Sequence, residues 1–359
     1  MPARLRRSHP DRPGLTRRRR GRGWQYLDTD GAVITDPEIR RRIDDLVIPP
    51  AWKQVWISPF PNGHIQAIGT DAAGRRQYLY HPEWALRRHQ RKFERVLQFG
   101  AALPPGRRQV SEHLALPGMG QERAMATAFR LLDRGHFRIG GEVYTETNGS
   151  YGLSTLLRSH VRRERGVLIF DYIAKSGMHR VEKIEDPELL DSIETMRRRR
   201  GGDDRLLAYR VGRDWRHLGS TDINLYLKEV LRGDISAKDF RTWHGTVLAA
   251  VALAQLSAAH PASKRWSATA RKRAVSQAVK AVASRLGNTP AVCRGSYIDP
   301  RVVEAFESER TINTAVERAA RDLAGVLPDP VDDESAEQVL SLIAATPTVE
   351  RAVLKLLRS

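Results

Sequence analysis

The sequence predicts an α+β protein in two parts: a small antiparallel β-rich N-terminal domain and a larger, mainly α-helical domain that carries a small β-sheet. Three observations predict it. Short runs of aromatic and β-branched residues separated by turn dipeptides fill the early chain. Helical spacing of apolar residues dominates the remainder. One strand-turn-strand, Val167 to Glu182, interrupts those helices. A chain of 359 residues with 41% hydrophobic content suits two domains rather than one small core.

Residues 1–22 are rich in Arg and Pro, with Arg17 to Arg20 running into Gly21. Such composition buries no core, so a disordered tail is expected, either a loose phosphate-contacting arm or a solubilising segment. The β-rich domain is expected over 23–88. Trp24–Leu27, Gln54–Ile57 and Gln77–Tyr80 read as strands, and Asp30-Gly31 and Asn62-Gly63 as tight turns. Asp36 and Pro37 open a helix that ends before Ile48-Pro49-Pro50. Alternation puts Tyr78 and Tyr80 on one face of a basic strand. With Arg75 and Gln77 they could touch base edges and the sugar-phosphate backbone; an ordinary wet sheet face is the alternative.

The larger domain is expected over 89–359. A helix from about Trp84 to Phe99 is punctuated by Leu103-Pro104-Pro105-Gly106, and another runs from Glu122 to Asp133, stopping at Gly135. A turn-rich segment with one arginine, Arg138, follows. Gly152–Leu157 reads as a short buried element. Val167–Ile173 and Met178–Glu182 form a hairpin with Lys175 at its tip, and Arg197–Arg200 reads as a solvated helix end. Ser236-Ala237-Lys238-Asp239 fits a capping box. Phe240, Trp243, Val247, Val251 and Ala254 then form a buried stripe, with Arg241 and His244 off its centre. Gly245 leaves that surface bare, so another backbone could come close. A helix from Ser267 to Leu286 turns Val275, Ala278, Val279, Val282 and Leu286 inward, and turns Arg271, Lys272, Arg273 and Lys280 outward. Gly287 ends it, Asp299-Pro300 opens another helix, and the chain is helical again from Ala336.

The totals narrow the function. Sixty Lys and Arg against 42 Asp and Glu give a net charge of +18, which favours a polyanionic partner, nucleic acid first. An anionic membrane surface would call for an amphipathic anchor with exposed Trp or Phe, and none is read. No apolar run reaches bilayer length, and the basic N-terminus lacks a secretory core. One cysteine allows neither an internal disulfide nor a Cys-based zinc cluster, so a reducing cytoplasm is expected. There is no Walker A sequence, Gly118-Met119-Gly120 is too little for a dinucleotide loop, and the acidic pairs are isolated. No metal or cofactor is expected.

Individually these motifs are weak, but their order is specific. Phe137-Arg138, the hairpin Lys175, Lys238-Asp239-Phe240-Arg241-Thr242-Trp243, and Asn288-Thr289-Pro290 followed by Tyr297 resemble the type IB DNA topoisomerases, in their small poxvirus-like bacterial branch. Ile48-Pro49-Pro50-Ala51-Trp52, Gly63 to Ala67 and Gly74 to Tyr80 are similar to that branch as well. The resemblance implies the tyrosine recombinase/type IB topoisomerase catalytic fold. It implies Tyr297 as nucleophile in a 3′-phosphotyrosyl link, Arg138 and Arg241 on the non-bridging oxygens, and Lys175 as general acid. Lys238 is a secondary candidate for phosphate or proton work. Asn288 departs from the pattern, because viral members and the recombinases carry histidine there; an amide donates a hydrogen bond but carries no charge. Arg75, Gln77, Tyr78, Tyr80, His244, Arg271 and Lys272 are the expected DNA contacts. A monomer clamping double-stranded DNA at the nucleoid follows, with no membrane partner.

The chemistry asks for the same kit. Negative charge gathers on the equatorial oxygens of a phosphodiester transition state, and two bidentate guanidiniums can answer it without a metal. The departing alkoxide needs a proton donor. A tyrosine recombinase would want a His-x-x-Arg box and a helical N-terminal bundle, which are absent. A non-catalytic DNA-binding protein remains the reading from another class.

Overall fold

The computed structural model describes residues 4–141, 145, 149–261, 265–326 and 333–359. The chain forms two compact units, Met1–Glu94 and Arg95–Ser359, and the expected α+β class is borne out in both.

The first unit is a five-stranded antiparallel sheet in the order β2-β1-β3-β4-β5. The strands are β1 (Leu15–Arg20), β2 (Gly23–Leu27), β3 (Lys53–Ile57), β4 (Ile65–Thr70) and β5 (Arg76–Tyr80). Helix α1 (Pro37–Asp45) starts on the Asp36 carboxylate, which accepts from the Glu38 amide at 2.8 Å. Ile43 of α1 joins Leu15, Val55, Ile57 and Ala67 in one buried cluster.

The expected disordered tail is corrected here. Residues 16–20 pair with β2 from Thr16↔Leu27 to Arg20↔Gly23. Arg17 donates to the carbonyls of Ile48, Pro49 and Trp52 at 3.2, 2.7 and 3.0 Å, and its guanidinium lies 4.0 Å from the Trp24 ring centroid. A charge-rich stretch is ordered because one of its arginines satisfies loop carbonyls and packs on an indole. The boundary at Glu94 also lies beyond the expected one at residue 88.

The second unit begins within α2 (Pro82–Leu114), which continues through Pro104 and Pro105. Each proline costs a helix about 3 kcal/mol, but Phe99, Leu103 and Val110 on either side are fully buried. Helices α3 (Gln121–Gly135), α4 (Pro187–Arg198) and α5 (Ser220–Val230) follow, with the three-stranded sheet β6 (Val161–Glu164), β7 (Val167–Ala174) and β8 (Met178–Ile184) between α3 and α4. Strands β9 (Ala208–Val211) and β10 (Asp214–His217) form a separate hairpin between α4 and α5. Arg199, expected in a solvated run, is buried and donates to the carbonyls of Met196 and Leu206 at 2.7 and 3.0 Å.

Helix α6 (Ala237–Ala259) is the axis of this unit and is buried on every side from Asp239 to Ala254. Around it lie α7 (Ala268–Leu286), the short α8 (Pro290–Ser296), α9 (Pro300–Glu307), α10 (Asn313–Asp322), α11 (Asp333–Ala344) and α12 (Pro347–Arg358). Helices α8 and α10 were not legible from spacing. Thr346 and Pro347 split the expected C-terminal helix in two, the Thr346 hydroxyl accepting from the Val349 amide at 3.4 Å. Among the described residues no helix is long and apolar enough to cross a membrane.

Candidate active site

Helix α7 ends on Gly287 in the left-handed conformation, with φ of 59°. The last carbonyls of any helix lack intrahelical partners and sit at its negative pole. Three arginines, one from the loop after α3, one from β8 and one from α6, answer them. Arg138 donates to the Gly287 carbonyl at 2.8 Å and Arg241 to that of Leu286 at 2.7 Å. Arg180 of β8 donates to the carbonyls of Ser284 and Arg285 at 3.3 and 2.9 Å. Arg138 also donates to the Asn288 side-chain oxygen at 2.6 Å, while the Asn288 amide nitrogen faces the Leu286 carbonyl at 3.3 Å.

Each side chain is held from below. The Arg138 and Ile139 carbonyls accept from the Leu153 and Ser154 amides, both at 2.8 Å. Gly152 permits this, since a Cβ there would lie 2.5 Å from the Gly140 nitrogen. Arg241, 4% exposed, donates through its second terminal nitrogen to the His136 carbonyl at 2.5 Å. His136 caps α3 in the left-handed region, with φ of 53°. Burial, then the nearby Arg138, push the Arg241 guanidinium below its ordinary pKa, and the Tyr297 phenol works in the opposite direction. The guanidinium carbon is 5.1 Å from the Tyr297 ring centroid.

Tyr297 caps α8, its amide donating to the Cys293 carbonyl at 2.8 Å. The Thr246 hydroxyl reaches its carbonyl at 3.4 Å. Gly245 lies against the same carbonyl: a Cβ there would sit 2.7 Å from the oxygen. The bare surface expected at Gly245 is thus filled by the backbone of Tyr297. Arg138, Arg241, Asn288 and Tyr297 are thereby gathered around one helix end.

A model of the bacterial DNA topoisomerase IB N-terminal domain matches residues 23–71, and one of the eukaryotic DNA topoisomerase I catalytic core matches residues 82–323. The chain belongs to the type IB DNA topoisomerase family. It is also 30% identical over 292 residues to DNA topoisomerase 1B of Acanthamoeba polyphaga mimivirus, a match covering 79% of this chain and 84% of that protein. All four gathered residues lie inside the catalytic-core match.

Two expected residues of this type IB topoisomerase stand apart from the cluster. Lys175 is exposed at the hairpin tip, in a turn where Ser176 and Gly177 have φ of 68° and 72°. Lys238 is exposed on the first turn of α6. Among the described residues no hydrogen bond or ion pair fixes either one.

His244, expected at the DNA surface, is 6% exposed and faces the Asp133 carboxylate at 3.2 Å. The physical reason is that α6 has no outer face over this stretch. Arg107 grips Asp133 at 2.8 and 2.9 Å and Glu350 at 2.5 and 2.9 Å, and the Trp243 indole donates to Glu350 at 3.1 Å. This buried network ties α2, α3 and α12 to the turn of α6 that follows Arg241. Burial alone would raise the Asp133 carboxyl, but Arg107 and His244 hold it well below its ordinary pKa. The His136 imidazole, 4.8 Å from that of His244, is pushed well below its ordinary value by burial and by Arg285, His244 and Arg241. The network and Arg180 left no signal in the sequence, because partners far apart in the chain create them.

The remaining expected contacts are spread over both units. Tyr78 and Tyr80 stack at 6.0 Å between centroids and 11° between planes, with Arg76 over the first ring and Arg88 over the second. Gln77 pairs with Gly69, so it points to the opposite face from Tyr78, and it donates to Asp71 at 2.9 Å. Arg75 is exposed and ion-paired with the same aspartate at 2.9 Å. Arg271 is engaged with the Glu307 carbonyl and with Glu309 at 2.6 Å, whereas Lys272 is exposed.

Proposed function

We propose that this chain relaxes supercoiled DNA by cutting and resealing one strand through Tyr297, as a member of the small poxvirus-like bacterial branch of its family. The observation that carries the reading is the state of Arg241. Its side chain is buried, yet among the described residues its Nε–H has no acceptor. A buried donor left unmade costs about 1–3 kcal/mol, and a phosphate oxygen beside Tyr297 relieves it with a charge-assisted bond.

The Tyr297 oxygen attacks phosphorus and gives up its proton to solvent water. The bond from phosphorus to the tyrosine oxygen forms, and the bond to the 5′-oxygen of the next nucleotide breaks. Lys175 supplies the proton that the departing 5′-oxygen takes; this requires the exposed hairpin to bring its tip to the scissile phosphate. Arg138 and Arg241 bond the non-bridging oxygens. Asn288 accepts from Arg138 and offers its amide N–H to a phosphoryl oxygen, holding a guanidinium in place without adding charge. Lys238 is a second cation for phosphate or proton work. Removing one such donor typically costs about a hundredfold or more in rate.

The phosphotyrosyl link conserves the free energy of the broken bond, so resealing needs no ATP. The free 5′ end swivels under torsion, and religation fixes the relaxed state. The protein acts as a monomer on duplex DNA at the nucleoid, with Tyr78 and Tyr80 at the groove. The test is supercoiled plasmid without Mg²⁺ or ATP, followed by a detergent trap. Relaxation and a 3′ adduct through Tyr297 are expected, both abolished in Tyr297→Phe while binding is largely spared; relaxation retained by Tyr297→Phe removes the assignment.

A further inference from the structure

Strand β1 lies before the matched N-terminal region, which begins at residue 23, and the catalytic reading makes no use of it. It pairs with β3 only through Leu15↔Ile57 and Thr16↔Trp56, so Arg17 to Arg20 are held by β2 alone. Residues 15–27 contain five arginines and no Asp or Glu. Arg17 is occupied by loop carbonyls, and Arg17 and Arg19 lie 4.0 and 5.3 Å from the Trp24 centroid. Those contacts stiffen the hairpin. Among the described residues the Arg18 side chain donates to a neutral group, the Gln25 side-chain oxygen at 2.7 Å. Among the described residues Arg18, Arg19, Arg20 and Arg22 make no ion pair, and all four are exposed.

The register puts Arg18 and Arg20 on a chosen face. Thr16, Trp56, Ile68 and Tyr78 are successive cross-strand partners, and side chains directly opposite share a face. Arg18 and Arg20 have the parity of Thr16, so they project from the face that carries the Tyr78 and Tyr80 rings. Strands β1 and β5 are three strand spacings apart, about 14 Å. That is close to the roughly 12 Å width of the major groove.

From this we propose that the β1–β2 hairpin is a stiff phosphate-gripping arm, in which Arg18 and Arg20 hold the DNA backbone along one edge of a groove while the β5 edge meets the other. The partner is duplex DNA, and this choice rests on the function proposed above. The hairpin offers no free apolar ring to a membrane, because Trp24 is packed by Arg17 and Arg19.

The test is equilibrium binding of a short duplex across a KCl series, with the full chain bearing Tyr297→Phe as parent and Arg18→Gln/Arg20→Gln added to it. Each phosphate contact contributes about 0.9 to the slope of log K against log salt, so two lost contacts make it shallower by about 1.8 and weaken binding about 30-fold at 0.15 M salt. Arg18→Lys/Arg20→Lys keeps most of the slope, which separates charge from fold, and unfolding temperature is unchanged in both variants. A slope equal to the parent's overturns the proposal, as does equal loss in the lysine and glutamine variants. The relaxation assay on unaltered protein reads the catalytic function separately: an adduct with an unchanged slope removes the arm alone, and a shallower slope without an adduct keeps the arm alone.

Discussion

Replacing Gly245 by alanine adds one methyl carbon at the contact between α6 and the tyrosine. That carbon would sit 2.7 Å from the Tyr297 carbonyl oxygen, 3.2 Å from its Cβ and 3.1 Å from Leu286 Cδ1. Ordinary van der Waals contact needs several tenths of an ångström more in every direction. Helix α6 is packed on all sides here, so the displacement falls on the residues between α8 and α9, which carry the phenol. Two effects on stability oppose each other. Overpacking costs about 1–3 kcal/mol, and exchanging glycine for alanine inside a helix returns about 1 kcal/mol. The fold therefore loses about 0–2 kcal/mol. Cleavage is far more sensitive, since a misplacement of about 1 Å can cost about a hundredfold in rate. Single-turnover cleavage of a short duplex, read beside thermal unfolding, is expected to show a 10- to 100-fold slower rate with a small change in melting temperature. Wild-type cleavage by Gly245→Ala would show that the close approach does not set the position of Tyr297.

Other outcomes follow from the same geometry. Lys175→Ala slows cleavage and is rescued by a substrate with sulfur at the 5′-bridging position, a leaving group that needs no acid; absence of rescue removes Lys175 from that role. Asn288→His restores a chargeable donor beside Arg138, so cleavage rises as pH falls through the histidine range; a flat pH profile counts against a phosphate contact there. Asp133→Asn breaks a buried ion network and destabilises the fold by about 3–5 kcal/mol near neutral pH. The sign of its pH dependence is fixed, because the native Asp133 carboxyl titrates well below its ordinary value. Its stabilisation is complete above the unfolded pKa of about 3.9 and is lost as pH falls toward the native value. Melting curves of wild type and variant should converge in acid, and a gap that widens there contradicts the ion network.

Much of the architecture could be read from local pattern. The strands at Trp24, Gln54 and Gln77 announce themselves by β-rich runs, and α1, α6, α7 and α9 by caps and spacing. Strand β1 did not, because its order comes from Arg17 reaching carbonyls some thirty residues away. The prolines in α2 misled for a related reason: local cost was visible, the burial that offsets it was not. At the site, the resemblance to the type IB topoisomerases picked out Arg138, Arg241, Asn288 and Tyr297, and Gly245 was legible as a close approach. The interior place of His244 was hidden, since periodicity assigns every helix an outer face and α6 has none. Arg180, His136 and Glu350 act through carbonyls and carboxylates that only the folded chain puts beside them.

The arginine-lined end of α7 has a consequence for how the enzyme would meet its substrate. The peptide oxygens of Leu286 and Gly287 hold two guanidiniums, and under the proposed function they would be surrogate acceptors that keep both parked where a phosphodiester arrives. Engagement would then be a short handover between oxygens and not a search by long, hydrated side chains. On the function proposed above, the same oxygens would take the guanidiniums back when the resealed strand departs, so each cycle would close on the arrangement from which it began.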